Sequence, residues 1–255
     1  MDTMAGLPTI LGQGNYHRRI REAVETGRLK IGSEPAICPR CYGTGIESTE
    51  RGARRCECRR AAILAARQAT IPSRYRDSQL DALRPRPDLH PKQAAAIELL
   101  RALPRDSFVL CGSPGSGKTH LLWALYRRVA EDLDRRVVAG SLSHLIEQYR
   151  ETFRPQRDPD SPPPRPFVLP NDLAVNGNRW SLFLDDIDKP RMTEYVAEQV
   201  HALMDAVYNH KHQLVVTTNL RPDALRAHFA RADERYGLAI VRRIIHEGSN
   251  LVELF

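Results

Sequence analysis

Gly112-Ser113-Pro114-Gly115-Ser116-Gly117-Lys118-Thr119 fills the phosphate-loop pattern G-x-x-x-x-G-K-[S/T] at every position. The apolar run Phe108-Val109-Leu110-Cys111 precedes it and the helix-like Leu121-Leu122-Trp123-Ala124-Leu125 follows. Glycines at these places let successive backbone N–H groups face phosphate oxygens, and the helix that follows turns the positive end of its dipole toward them. Lys118 is then positioned for the β/γ-phosphates and the Thr119 hydroxyl for Mg²⁺. A Gly/Ser turn can match part of this pattern by chance. The flanking strand and helix argue against chance and predict a nucleoside triphosphate site.

Working outward, Leu182-Phe183-Leu184-Asp185-Asp186 is an apolar run ending in two carboxylates. A carboxylate at a strand's C-terminal edge suits the hydration shell of Mg²⁺, and a second one can orient a water for attack. Asp185 is the metal-side candidate and Asp186 the water-polarising one. Val215-Val216-Thr217-Thr218-Asn219 also ends an apolar run in polar residues. The Asn219 amide can sense a γ-phosphate or position water; an Asn closing a turn is the alternative. Arg242 and Arg243 sit on an otherwise apolar helix near Phe255. They read either as a solvated face or as an arginine offered to a neighbouring copy's nucleotide.

Periodicity places these motifs in an alternating series. Strands are expected at 107–111, 136–141, 180–184 and 213–218, and helices at 91–103, 142–152, 192–208, 222–229 and 237–245. Strands alternating with helices imply an α/β fold, a parallel sheet covered on both faces. Residues 154–179 are rich in proline and read as an unusually long irregular connection. Ahead of the series, 16–29 and 59–67 read as helices, and 71–90, with Pro72, Pro85 and Pro87, as a linker docking on the next domain.

Cysteines mark the N-terminal part: Cys38-x-x-Cys41, then Cys56-x-Cys58. Two close thiolate pairs are what tetrahedral zinc takes, and a small segment with few apolar residues needs such a staple. With no histidine between His17 and His90, four thiolates are the economical ligand set; a redox pair or unrelated thiols are the alternatives. Cys111 reads as a small buried hydrophobe. The net charge of +7 is concentrated early, where residues 1–70 hold 12 Lys/Arg and 7 Asp/Glu. That surplus is compatible with a polyanion partner and equally with a solvated arginine-rich surface. No apolar stretch approaches the roughly 20 residues that span a bilayer, so a soluble, cytoplasmic protein without a membrane partner is expected.

Taken in order, these segments resemble the DnaC/DnaI-type replicative helicase loaders of the AAA+ superfamily. Carrying the resemblance are Cys38-Pro39-Arg40-Cys41-Tyr42-Gly43-Thr44-Gly45 with Cys56-Glu57-Cys58-Arg59, then Ile71-Pro72-Ser73-Arg74-Tyr75-Arg76. Gly112 to His120, Leu184-Asp185-Asp186, Thr218-Asn219 and Gly237 to Ile244 continue it. The resemblance implies an AAA+ P-loop ATPase domain at 91–255, a linker at 71–90 and a small helical zinc-binding domain at 1–70 that grips a hexameric replicative helicase. ATP, Mg²⁺ and Zn²⁺ are the implied cofactors, with His120 grouped among the nucleotide-binding residues. Copies would associate through the ATPase domain and deliver the helicase to single-stranded DNA. The same resemblance makes Arg243 the residue reaching a neighbour's ATP, with Arg242 second.

Three features depart from the family pattern. The second acidic motif is Asp-Asp rather than Asp-Glu, which implies slow, switch-like hydrolysis stimulated by assembly or DNA. No counterpart of a sensor-2 arginine or helical lid is evident before Phe255. Residues 154–179 stand where loader-type ATPases often carry DNA-contacting elements, without a matching pattern. The alternatives are a transposition helper ATPase of the IstB kind acting on duplex DNA, a small-molecule kinase, and a binding module that holds ATP without hydrolysing it. The four-cysteine segment argues against the first, and the lack of an arginine-rich lid against the second.

Overall fold

In a computed structural model the structure describes residues 38–50, 52–86, 91–152, 166, 168–174 and 179–255. The helix expected at 16–29 lies outside the described residues. The chain divides into two compact units, Met1–Ala66 and Arg67–Phe255.

In the first unit an antiparallel hairpin, β1 (Ile46–Thr49) and β2 (Gly52–Arg55), lies between the two cysteine pairs, with Ile46 opposite Arg55 and Thr49 opposite Gly52. The sequence reading gave this segment no strands, because eight residues with one large apolar side chain show no alternation. Helix α1 (Glu57–Ala69) begins earlier than expected and takes Cys58 into its first turn. The boundary between the units falls inside this helix.

The second unit is built on a five-stranded sheet. Its strands are β3 (Ser107–Gly112), β4 (Arg135–Ser141), β5 (Arg179–Asp185), β6 (Gln213–Thr218) and β7 (Ser249–Leu254). They lie in the order β4-β5-β6-β3-β7, all parallel. Interleaved are α2 (Gln93–Ala102), α3 (Lys118–Ala130), α4 (Leu142–Thr152), α5 (Pro170–Leu173), α6 (Glu194–Asn209), α7 (Pro222–Phe229) and α8 (Glu234–Ile244).

The uninterrupted apolar runs follow from burial on both faces. Val109, Leu182, Leu184, Leu214 and Val216 enter one core with α4, α6, α7 and α8. Their neighbours Phe108, Leu110, Phe183 and Val215 enter a second core with α2 and α3. Side chains alternate as strand geometry demands, yet both sets are apolar, as in a parallel sheet covered on both sides.

Strand order places the site. From β3 the chain turns to α3 on one face, and from the adjacent β6 it turns to α7 on the other. A crevice opens where neighbouring strands send their helices to opposite faces, outside the strands' C-terminal ends.

Residues 71–86, expected as a linker docking on the next domain, are part of the second unit: Ile71 and Leu80 are buried in its core, each worth about 1.5–3 kcal/mol of apolar burial. Arg101 ties this stretch down by donating to the carbonyls of Leu80, Asp81 and Leu83 at 3.1 Å. The connection at 154–179 is not irregular throughout, since α5 interrupts it, Val168 and Leu173 are fully buried, and Tyr149 Oη donates to Val168 O at 2.9 Å. The sequence pattern assigns no strand where β7 lies, because Ser249-Asn250-Leu251-Val252-Glu253-Leu254 mixes polar and apolar residues without the buried-strand signature. It is an edge strand, paired only to β3 among the described residues.

Candidate functional site: a phosphate-loop crevice and a four-thiol cluster

The loop leaves β3 at Gly112 and enters α3 at Lys118. Gly115 and Gly117 take φ values of +86° and +91°, where a Cβ is strained, so their backbone path depends on glycine. Gly112 is required for another reason. A Cβ there would stand 2.5 Å from Leu254 O, against the end of β7.

Lys118 is 5% exposed, and its Nζ donates to Gly112 O at 2.8 Å and Ser113 O at 2.9 Å. Burial lowers its pKa, while Asp186, Asp188 and Asp185 pull the other way. An ammonium desolvated in this way, whose hydrogen-bond partners among the described residues are loop carbonyls, is available to a stronger anionic partner. Ser116 is fully buried beneath the loop, and Ser113 is exposed.

Thr119 and Asp185 are joined directly, Thr119 Oγ1 donating to Asp185 Oδ1 at 3.0 Å. A hydroxyl and a carboxylate meeting at a strand's C-terminal end match the oxygen donors Mg²⁺ prefers. Thr217 ties the acid pair to β6: its Oγ1 donates to Asp185 Oδ1 at 2.5 Å and accepts from the Asp186 N–H at 2.8 Å. Asp186 itself adopts φ +52°. Its carboxyl is pushed up by burial first and by the Asp185 charge second.

These residues open on a cavity of about 710 Å³. Of the sequence candidates, Pro114, Gly115, Gly117, Lys118, Thr119, His120, Asp186 and Asn219 line it. Asp185, bonded to Thr119, and the buried Gly112 and Ser116 are not among the lining residues. Arg243 is elsewhere: its guanidinium holds Asp205 at 2.6 Å and Ala239 O at 3.0 Å. Arg242 is exposed.

Sequence reasoning missed the opposite wall. Arg74, Tyr75, Leu83, Arg84 and Arg86 line the cavity from the stretch read as a linker. Tyr75 meets the His120 ring edge-on at 6.0 Å, and Gln93 bridges the two walls by donating to Ser116 O at 3.2 Å and accepting from the Arg86 N–H at 2.9 Å. Thr217 and Asp188 were missed too. The two threonines closing an otherwise apolar strand were the available signal for the first.

In the first unit the sequence pairs converge. The Sγ atoms of Cys38, Cys41, Cys56 and Cys58 all lie within 4.8 Å of one another, with Cys38–Cys56 at 3.7 Å and Cys41–Cys58 at 3.4 Å. A tetrahedron of thiolates about 2.3 Å from zinc has edges of about 3.8 Å, so the cluster fits that ion. Without a cation the thiols interfere. Cys38 is lowered to about 6 by the backbone N–H groups of Cys41 and Arg40, whereas its neighbours push Cys58 up to about 12. Only a cation lets all four ionise together.

Comparison with known proteins agrees with the geometry. The family described as "Type IV secretion-system coupling protein DNA-binding domain" matches residues 91–226, just over half the chain. No curated protein matches by sequence. Among solved structures, the DnaC helicase loader is similar at 22% identity and a TM-score of 0.52, over 72% of this chain and all of that one. DnaI is similar at 16% identity and a TM-score of 0.53, over 74% of this chain and 96% of that one. AMPPCP-bound DnaA from Aquifex aeolicus is similar at 19% identity and a TM-score of 0.50, over 72% of this chain and half of that one. These likenesses establish a shared fold, a parallel sheet flanked by helices around a phosphate loop. No helix among the described residues is long and apolar enough to cross a membrane.

Proposed function

Since the chain belongs, through residues 91–226, to the family described as the type IV secretion-system coupling protein DNA-binding domain, we propose that it is a DNA-associated AAA+ ATPase that loads a replicative helicase onto single-stranded DNA. The observation that carries the nucleotide part is the convergence of the phosphate loop, Asp186 and Asn219 on one cavity. The loader part is supported by the four-thiol cluster ahead of the ATPase in the chain, by the fold shared with DnaC and DnaI, and by the DNA-binding description of the family.

In this reading Lys118 exchanges its two loop carbonyls for the β/γ-phosphates. Thr119 and Asp185 hold Mg²⁺, which when bound offsets charge on the phosphate oxygens. Asp186 polarises water, and its shorter reach than glutamate makes turnover slow. Arg243 serves a neighbouring copy's nucleotide, for which it must leave Asp205. Cys38, Cys41, Cys56 and Cys58 would hold zinc and so shape the surface that grips the hexameric helicase.

The test is a loading assay with the host's replicative helicase, single-stranded DNA and ATP. Wild type increases helicase on the DNA, and Lys118→Ala binds no nucleotide and loads none. A wild type that neither binds the helicase nor changes its loading refutes the loader reading. The family match favours a second reading, a DNA-binding ATPase outside replication. DNA-stimulated hydrolysis without helicase affinity would select it, and co-purification with a transposase would narrow it to a transposition helper.

A further inference from the structure

Asp188 lies two residues beyond the acid pair and is absent from the cavity wall, yet both its carboxylate oxygens are committed to a residue that lines it. Oδ1 accepts from the Asn219 backbone N–H at 3.1 Å, and Oδ2 from Asn219 Nδ2 at 3.4 Å. The turn that delivers Asp188 is fixed at three points. Asp186 takes its left-handed φ, the Lys189 N–H closes the turn on Asp186 O at 3.1 Å, and the Ile187 N–H pairs with Thr217 O at 3.0 Å.

A carboxylate only accepts hydrogen bonds, so the amide end facing it must be the NH₂ end. The reverse orientation would set the Asn219 oxygen against a carboxylate. With Nδ2 held by Asp188, Oδ1 is the end left for the cavity, and among the described residues it takes no hydrogen bond from protein.

We propose that Asp188 is a positioning residue that locks Asn219 with its amide oxygen, rather than its NH₂, toward the reacting centre. This rests on the reading of the crevice as a nucleotide-hydrolysing site. An oxygen acceptor cannot bond to a phosphate oxygen, which is also an acceptor. It can accept a proton of the attacking water and, with Asp186, hold that water's lone pair toward phosphorus. Asn219 is thereby a water-orienting group and not a reader of the γ-phosphate.

The test compares wild type, Asn219→Ala, Asp188→Asn and the exchanged pair Asp188→Asn/Asn219→Asp. Affinity is read with a fluorescent ATP analogue, and chemistry by single-turnover hydrolysis. Asn219→Ala is expected to keep affinity within about twofold and to lose about 10- to 100-fold in rate, the scale on which misplaced reactants cost catalysis. Asp188→Asn should lose rate likewise, because an amide at 188 can pair with either end of Asn219. The exchanged pair should regain much of the rate: the amide introduced at position 188 can donate its Nδ2 to the new carboxylate at position 219, leaving an oxygen acceptor toward the water.

The proposal is overturned if Asp188→Asn hydrolyses at the wild-type rate. It is also overturned if Asn219→Ala loses affinity as steeply as rate, which would mean donation to phosphate. Should the exchanged pair not fold, the affinity-versus-rate split of Asn219→Ala still decides. A wild type that binds nucleotide without hydrolysing it refutes the underlying ATPase reading instead.

Discussion

Replacing Gly112 by alanine tests whether the first glycine of the phosphate loop exists for the phosphate or for the sheet. Gly112 pairs with Leu254 in the β3–β7 ladder, and a Cβ at 112 would meet Leu254 O at 2.5 Å, its C at 2.8 Å and its Cβ at 2.7 Å. All three atoms are fixed by the backbone of β7, so no rotamer change relieves the contact. Carbon–oxygen contacts normally stand at about 3.3–3.6 Å, so the end of β7 must retreat by nearly an ångström. Overpacking of this kind costs about 1–3 kcal/mol. Alanine returns about 0.4–1 kcal/mol by narrowing the unfolded ensemble, which leaves a net loss of about 1–2 kcal/mol.

For a unit of this size the loss corresponds to a fall in Tm of about 2–8 °C. Gly115 supplies the control, because nothing lies within 4 Å of a Cβ there and only its φ of +86° opposes alanine, at about 1–2 kcal/mol before the same entropic return. In nucleotide-free melts Gly112→Ala should therefore lose more stability than Gly115→Ala, and amide exchange should rise along β7 only in the former. A Gly112→Ala protein melting within about 1 °C of wild type, or an unprotected β7 in both variants, would refute the reasoning.

Asp186→Asn should abolish hydrolysis while raising Tm at pH 7.5. The folded-state pKa of Asp186 is raised above 3.8 by burial, so its charged form weakens the fold above that raised value, and the penalty fades as pH falls through it. Melts at pH 7.5 and pH 4 should show the advantage at the first and its disappearance at the second; an equal difference at both would contradict this. Metal analysis under reducing conditions should find about one zinc per chain, reduced by Cys58→Ser, with nucleotide binding retained. Arg243→Ala and Asp205→Ala both break one half-exposed ion pair, worth about 0–1 kcal/mol, and should lower Tm alike. Only Arg243→Ala should lose assembly-stimulated hydrolysis, and an equal loss in Asp205→Ala would assign Arg243 a structural part alone.

What was legible in the sequence followed from how each element is stabilised. The central strands were legible because both their faces are buried: Leu182-Phe183-Leu184 and Leu214-Val215-Val216 had to be apolar throughout. Strand β7 sits at the sheet edge with Leu251 exposed, so Asn250 and Glu253 could interrupt its pattern unseen. The phosphate loop was legible because backbone conformation demands glycine at Gly115 and Gly117, whereas the demand on Gly112 comes from Leu254, 142 positions away.

The cavity's second wall was hidden for a related reason. Segment 71–86 is held by Arg101 donating to its backbone carbonyls, a kind of contact that leaves no periodicity in the segment itself. Asp188 shows the limit most sharply. Its sequence neighbours mark it as a turn residue, and only the pairing of β5 with β6 brings it to Asn219. A motif therefore identified residues that line the cavity, while the carboxylate that pairs with the Asn219 amide emerged only from sheet topology.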